Sequence, residues 1–367
     1  MNENNKIAIV ITGMSFGGAE RVTAYLSNYF VSCNKDIYLI SLTKTEPAYP
    51  LAGLVHYIQL DPSESKNPLV RYRALIKQIR NTIKKIQPSL VLGMMSYSGS
   101  LTAFACAGLK IPILLSERND PNTTQSFSNL EKKVIRFAYH KFAYRAVFQT
   151  ESAKTYYYRR DSFRGVVIPN PLYLEDLPSP NTGINNTMEI MSAGRLSKQK
   201  NQQLLIKAFF LVHEKHPQCT LTIYGEGDQR MQLEQLISSL HLESSVSLPG
   251  IESSIFPKLQ KAHMFVMSSN FEGMPNALIE AMAMGLPVVT TDYSEGRGTL
   301  VINNKNGLVV PRFNEKALAE AMLFIIENPK LAFEMSRNAL CVRNELDSRQ
   351  ICKKWLDTIE ETITAYK

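Results

Sequence analysis

The sequence predicts an α/β protein of two similar domains built on parallel sheets, and three observations predict it. Short runs rich in β-branched residues alternate with helix-length amphipathic stretches along the whole chain, and strands separated by helices imply βαβ units and parallel sheets. The length, 367 residues, suits two domains that each bury a core of their own. A segment rich in Pro and Asn, Pro169 to Thr187, separates two sets of strands. With 44% hydrophobic and 20% charged residues, disorder, collagen and disulfide scaffolds are excluded.

In the first half the expected strands are Ile7 to Ile11, Asp36 to Leu42, Val55 to Ile58, Ser89 to Leu92, Pro112 to Leu115, Arg145 to Phe148 and Gly165 to Ile168. In the second they are Glu189 to Ser192, Thr220 to Tyr224, Ser245 to Leu248, Met264 to Met267, Pro287 to Thr290 and Gly307 to Val310. The spacing predicts a helix over Pro68 to Ile86, where Leu69, Tyr72, Ile76, Ile79, Ile83 and Ile86 step by three or four. Arg71, Arg73, Lys77, Arg80, Lys84 and Lys85 lie off that stripe. The uncharged stretch Ile86 to Leu109 is long enough to cross a bilayer, but Pro88, Gly93, Gly99, Gly108 and several serines interrupt it. It reads as a strand, a turn and a buried helix.

Charge is shared unevenly. Residues 1 to 170 carry 22 Lys and Arg against 11 Asp and Glu, net +11, whereas the remainder carries 19 against 22, net −3. A basic half suits nucleic acid, an anionic membrane surface or an acidic substrate, and charge by itself does not choose. Within it, Lys132 to Arg164 sets nine Lys and Arg beside Phe137, Tyr139, Phe142, Tyr144, Tyr156, Tyr157, Tyr158 and Phe163. Cations beside amphipathic rings suit a headgroup surface; the alternative is that most of these rings are core. The cysteines, Cys33, Cys106, Cys219, Cys341 and Cys352, are odd in number and lack CxxC spacing, which argues against a disulfide framework or thiolate metal site. The polar start, Met1 to Asn5, leads into an apolar strand without a secretory signal, so a reducing cytoplasm is expected.

The most informative stretch is Asn270-Phe271-Glu272-Gly273-Met274-Pro275-Asn276-Ala277-Leu278-Ile279-Glu280-Ala281-Met282-Ala283-Met284-Gly285-Leu286-Pro287. Pro275 stands where a helix would begin, Gly285 where it would end and Pro287 just beyond. The amides of Met274, Asn276 and their neighbours, with the helix dipole, make an anion site at the carboxyl end of the preceding strand. Glu272 and Glu280 flank it. A retaining glycosidase pair stands about 5 to 5.5 Å apart. Asn276 to Glu280 alone rises about 6 Å, so these acids are expected to grip different parts of one elongated ligand.

Glu272 and Glu280, spaced Glu-x7-Glu and followed by Gly285-Leu286-Pro287-Val288-Val289, resemble the signature of family 4 glycosyltransferases of the GT-B fold. The resemblance extends to Gly13-Met14-Ser15-Phe16-Gly17-Gly18-Ala19-Glu20-Arg21, Ala193-Gly194-Arg195-Leu196-Ser197-Lys198-Gln199-Lys200-Asn201, Tyr224-Gly225-Glu226-Gly227-Asp228 and Asn306-Gly307-Leu308-Val309-Val310-Pro311. Any one alone is weak; their order and spacing, over nearly the whole chain, carry the likeness.

The resemblance implies two Rossmann-like domains with a cleft between them: residues 1–172 for the acceptor, a linker at 173–187, residues 188–346 for a nucleotide sugar, and a final helix within 347–367 packing back on the first domain. Arg195 and Lys200 would hold the donor diphosphate and stabilise its departing charge. Glu280 would bind the donor ribose, and Glu272, with the Gly273-Met274-Pro275-Asn276 turn, would orient the transferred sugar. Gly17 and Gly18 would let backbone approach the diphosphate. A dinucleotide site is disfavoured, because the spacing is not GxGxxG and no acid follows the second strand until Glu46. The reaction implied is transfer from a UDP-sugar (UDP-hexose or UDP-N-acetylhexosamine) to a lipid-linked or glycan acceptor, with retention, in surface polysaccharide assembly. The enzyme would sit peripherally on the anionic cytoplasmic membrane face, without nucleic acid.

Many relatives carry a His near the acceptor after the strand corresponding to Pro112 to Leu115, whereas this chain reads Ser116-Glu117-Arg118-Asn119-Asp120. Glu117, Arg118, Asn119 and Asp120 remain candidates for acceptor recognition, with turn chemistry as the alternative. No Asp-x-Asp occurs, the nearest approach being Glu226-Gly227-Asp228, so no metal or other cofactor is expected. Two other readings stay open: an epimerase or phosphorylase of the same architecture, and a non-catalytic partner of another transferase. Arg195, Lys200, Glu272 and Glu280 argue against the second.

Overall fold

A computed structural model of the chain describes residues 5–61, 67–118, 121, 128–158, 163–181, 183, 187–252, 254–294 and 300–366. They divide into two compact units, Met1–Pro171 with Arg349–Lys367, and Leu172–Ser348.

The first unit runs β1 (Lys6–Ile11), α1 (Gly18–Ser32), β2 (Asp36–Ser41), β3 (His56–Gln59), α2 (Pro68–Ile86), β4 (Leu90–Met94), α3 (Ser96–Cys106), β5 (Ile113–Glu117), α4 (Asn129–Lys141), β6 (Arg145–Phe148), α5 (Glu151–Tyr158) and β7 (Gly165–Val167). Its strands form one parallel sheet, ordered β3-β2-β1-β4-β5-β6-β7, whose winding reverses between β1 and β4. The second unit runs β8 (Glu189–Ala193), α6 (Gln202–Lys215), β9 (Thr220–Tyr224), α7 (Arg230–Ser239), β10 (Val246–Gly250), α8 (Phe256–Leu259), β11 (Met264–Met267), α9 (Asn276–Ala283), β12 (Val288–Thr291), β13 (Leu308–Val310), α10 (Glu315–Glu327), α11 (Pro329–Ala339) and α12 (Val342–Glu345). Its parallel sheet is ordered β10-β9-β8-β11-β12-β13 and reverses between β8 and β11. The fold is therefore the expected α/β architecture of two doubly wound sheets. The last helix, α13 (Ser348–Tyr366), sets Ile351, Trp355 and Ile359 one turn apart against Phe30, Leu92 and Leu114 of the first unit. Lys35 pairs with its Glu360 at 2.6 Å and Arg145 with its Glu361 at 3.1 Å.

Within the Pro- and Asn-rich segment, Leu172 to Asn181 belong to the second unit. The Leu172 amide donates to Leu346 O at 2.7 Å, the Asn181 amide donates to Met284 O at 2.8 Å, and Leu174 and Leu177 pack among the residues around α9.

One expectation about faces needs correction. Helix α2 buries Leu75, Ile79, Ile83 and Ile86, but Leu69 and Tyr72, expected in the same stripe, are exposed. A helix of this length spans about 28 Å and a five-residue strand about 17 Å, so the helix outruns the sheet it covers. Among the aromatics of Lys132 to Arg164, Tyr139, Tyr157 and Tyr158 are core, with Tyr139 stacked on Tyr157 at 4.3 Å, whereas Phe137 and Phe163 face solvent. The stretch Ile86 to Leu109 forms β4 and the buried α3. Among the described residues no helix is long and apolar enough to cross a membrane.

Candidate functional site

Open α/β sheets hold ligands in the crevice outside the carboxyl ends of strands where the winding reverses, which in the second unit means β8 and β11. Arg195 and Lys200 lie between β8 and α6; Glu272, Gly273, Met274 and Pro275 lie between β11 and α9; Asn276 opens α9 and Glu280 lies within it.

The loop after β8 rests on bare backbone. Gly194 takes φ +151, and a Cβ there would stand 3.0 Å from Lys200 Cε, so the lysine stem lies across this glycine. Beneath it the Gly194 amide donates to Tyr224 O at 2.9 Å, the Leu196 amide donates to Glu226 O at 2.9 Å, and buried Gln202 donates from Nε2 to Arg195 O at 2.9 Å. The loop is then joined to the one after β11. The Asn270 amide donates to Gln199 O at 2.8 Å and its Nδ2 donates to Lys198 O at 2.8 Å. Asn201 Nδ2 donates to Asn270 Oδ1 at 2.9 Å, Gln199 Nε2 to Phe271 O at 3.0 Å and Ser268 Oγ to Lys200 O at 3.0 Å. Arg312, just past β13, donates from Nη1 to Asn270 O at 2.8 Å.

This stitching brings Lys200 Nζ to 2.7 Å from Glu272 Oε1, with the two side chains only 20% and 10% exposed. The Tyr293 phenol lies close enough to feel that carboxylate: burial pushes it far above its ordinary value and Glu272 adds to the rise, so it stays protonated. Arg195 is exposed and makes no ion pair among the described residues. Glu280 is buried, four residues and so one turn beyond Asn276. Helix α9 has Pro275 at its N-cap and no side-chain capping hydrogen bond, and Gly285 at φ +72 ends it. Chemically, the cations and the helix start suit an anion, while the two acids suit hydroxyl donors.

The first unit treats its candidates differently. Gly17 precedes α1, and the space that a Cβ there would need is taken by the Glu20 carboxylate, 2.1 Å from the Cβ position. Its φ of 176 is ordinary extended backbone, and the atom in the way is the movable end of the Glu20 side chain, so neither conformation nor packing demands glycine at this position. Gly18 is the first residue of α1 and is exposed. Glu117, at the end of β5, is buried and accepts from Ser96 Oγ at 2.6 Å, Tyr157 Oη at 3.0 Å and the Arg118 amide at 3.0 Å. Burial, reinforced by that carboxylate, pushes the Tyr157 phenol well above its ordinary value. Arg118 is buried too, and its Nη2 donates to Asn170 Oδ1. Asn119 and Asp120 lie outside the described residues. No group of three His, Cys, Asp or Glu suited to a metal ion occurs among the described residues.

Asn270, Gln202, Arg312 and Tyr293 were not singled out by sequence reasoning as functional. Asn270 stood inside the quoted stretch, where its joining role had no signal of its own; Arg312 and Tyr293 had none at all.

Comparison with known proteins agrees with the fold. The family model Glycosyltransferase Family 4 matches residues 16–176 and the model Glycosyl transferases group 1 matches residues 179–340. The chain is 24% identical over 367 residues to a Campylobacter jejuni protein, 98% of this chain and 99% of that one. That relative is named GalNAc-alpha-(1->4)-GalNAc-alpha-(1->3)-diNAcBac-PP-undecaprenol alpha-1,4-N-acetyl-D-galactosaminyltransferase. The chain is 25% identical over 360 residues to the amylovoran biosynthesis glycosyltransferase AmsD of Erwinia amylovora, covering 96% of this chain and 99% of that one. Among solved structures, HepE of Anabaena in complex with UDP and glucose aligns with a TM-score of 0.81 at 18% identity, covering 98% and 100%. Sucrose-phosphate synthase of Thermosynechococcus elongatus aligns with a TM-score of 0.83 at 17% identity, covering 99% and 100%.

Proposed function

The chain belongs to glycosyltransferase family 4 and has the GT-B fold, and from that premise we propose that it transfers a hexose or N-acetylhexosamine from a UDP-sugar to a lipid-linked or glycan acceptor, with retention, in surface polysaccharide assembly. The observation that carries the donor side is the Lys200–Glu272 pair, shielded at the β8/β11 switch point and beside the N-terminus of α9. A diphosphate fits there on Lys200, Arg195 and the first amides of α9. Negative charge grows on its leaving oxygen as the glycosidic bond breaks, and fixed cations stabilise that charge without reorganising. Glu280 accepts the ribose hydroxyls, and Glu272, with the turn that follows it, accepts hydroxyls of the sugar. No metal or other cofactor enters this reading.

The UDP bound in the HepE structure and the undecaprenol in the Campylobacter relative's name support the donor and acceptor classes. A lipid-linked acceptor requires the enzyme to work at a membrane surface, and the first unit offers a basic, partly apolar face for it at the start of α2 and along α4. Glu117 and Arg118, buried and engaged, enter this reading as groups that fix the end of β5.

The test is a screen of UDP-, GDP- and ADP-sugars, with and without a polyprenyl-diphosphate-linked saccharide. Transfer from a UDP-sugar with release of UDP is expected. Turnover with other nucleotides alone would replace the donor, and an epimerised donor without transfer would replace the reaction class.

A further inference from the structure

We propose that Glu272 is a displaceable counter-ion for Lys200, which couples recognition of the donor diphosphate to recognition of its sugar and weakens the hold on the nucleoside diphosphate once the sugar has gone. The inference rests on the donor-site reading above.

Both partners are held by backbone. The Lys200 stem crosses Gly194, where a Cβ would stand 3.0 Å from Cε, and its carbonyl accepts from Ser268 Oγ at 3.0 Å. The Glu272 loop is pinned through Asn270 to Lys198, Gln199, Asn201 and Arg312. The loops therefore keep the two charges facing each other, and the pair separates only by exchanging partners. A shielded carboxylate is costly to leave uncompensated, so Glu272 gives up Lys200 readily only for other donors.

An ammonium has three N–H donors, so Lys200 could touch a phosphate and Glu272 together, but two anions on one cation repel. A nucleoside diphosphate alone thus competes with Glu272 for Lys200. A nucleotide sugar also brings hydroxyls, which a carboxylate accepts, and so satisfies both residues. After transfer the sugar leaves with the acceptor, Glu272 reclaims Lys200, and the nucleoside diphosphate is held less tightly.

Calorimetric titration of UDP, and of a non-transferable UDP-sugar phosphonate, into the wild type, Glu272→Gln and Lys200→Gln tests this. Glu272→Gln should bind UDP about tenfold more tightly than the wild type while its preference for the phosphonate over UDP falls at least about tenfold. If Glu272→Gln leaves UDP binding unchanged or weaker while Lys200→Gln weakens it, Glu272 merely positions the lysine and the proposal is overturned with the donor site intact. If the wild type binds no UDP, or Lys200→Gln binds it unchanged, the donor reading fails and the proposal with it. The wild type gives a second measurement independent of any variant's folding. It should bind UDP at least about tenfold more weakly than the phosphonate, and equal or tighter binding of UDP overturns the proposal.

Discussion

A Cβ on Gly225 would stand 2.1 Å from the carbonyl oxygen of Gly194, so the loops leaving the neighbouring strands β9 and β8 meet backbone to backbone. Gly194 in turn lies under Lys200. The position of the donor-side cation is thus set two layers down, by a residue that touches no ligand in the proposed reading.

Gly225→Ala should therefore cost more than about 2 kcal/mol, because φ at this glycine is +138 and the added methyl meets backbone that cannot swing aside. UDP affinity should fall with it. Gly53→Ala is the matched control: nothing lies within 4 Å of its Cβ position, and its stability should stay within about 0.5 kcal/mol of the wild type. Denaturant unfolding and UDP titration measure both. Unchanged values for Gly225→Ala would show that the loops are not coupled as described.

The site residues should separate kinetically. Replacing Arg195 by Ala should mainly lower kcat, by about 2.7 to 4 kcal/mol in barrier if it meets charge that grows in the transition state. Arg195 is exposed, so its loss should leave folding untouched. Glu280→Gln should instead raise KM for the donor with a smaller change in kcat, since ribose contacts persist through the reaction. Steady-state kinetics with varied donor decides it; equal effects on KM from both would merge the two roles.

How much of this was legible in the sequence follows from which interactions are local. Thirteen strands were expected and thirteen occur among the described residues, because most are short apolar runs, many with β-branched residues, whose signal lies within them. Helix α9 was bracketed by Pro275 and Gly285 for the same reason. The pairing of Lys200 with Glu272 was not legible. It depends on Asn270 reaching Lys198 and Gln199, more than 70 positions earlier in the chain, and no periodicity encodes such a contact. Nor was the burial of Glu117 and Arg118, because Ser96, Tyr157 and Asn170 are supplied by other elements of the sheet unit. The exposed start of α2 failed for a different reason: periodicity tells which residues share a face, while the sheet's length tells how far that face is covered.

Turnover should persist in EDTA. The proposed site offers Arg195, Lys200 and the N-terminal end of the α9 dipole as its positive field, and the chain has no Asp-x-Asp to bridge a metal to a diphosphate. Rates measured after chelation, and again with magnesium or manganese restored, decide the point. Activity lost to EDTA and recovered with either metal would contradict the expectation.

The outer face of α4 should bring the enzyme to anionic membranes. Leu130, Val134 and Phe137, at i, i+4 and i+7, are all exposed, beside Lys133 and Lys141 on the same side of the helix. Leu69, Val70 and Tyr72, with Arg71 and Arg73, expose a second patch at the start of α2. Helix α3 packs against both α2 and α4, and its Tyr97 ring lies 6.0 Å from that of Tyr72, so the patches share one side of the sheet. Each Lys or Arg near an anionic surface contributes about 1 kcal/mol, screened over about 8 Å at physiological salt. Each exposed apolar side chain that enters the headgroup layer adds about 1.5 to 3 kcal/mol if fully buried. Flotation should therefore recover the protein with phosphatidylglycerol-rich vesicles and not with phosphatidylcholine alone, and raised salt should release it. Leu130→Ser combined with Phe137→Ser should weaken that binding at least about tenfold without lowering stability, because both side chains face solvent. Equal binding to both kinds of vesicle, or no effect of the double substitution, would mean that α4 is a solvated helix and that another part of the chain meets the lipid-linked acceptor.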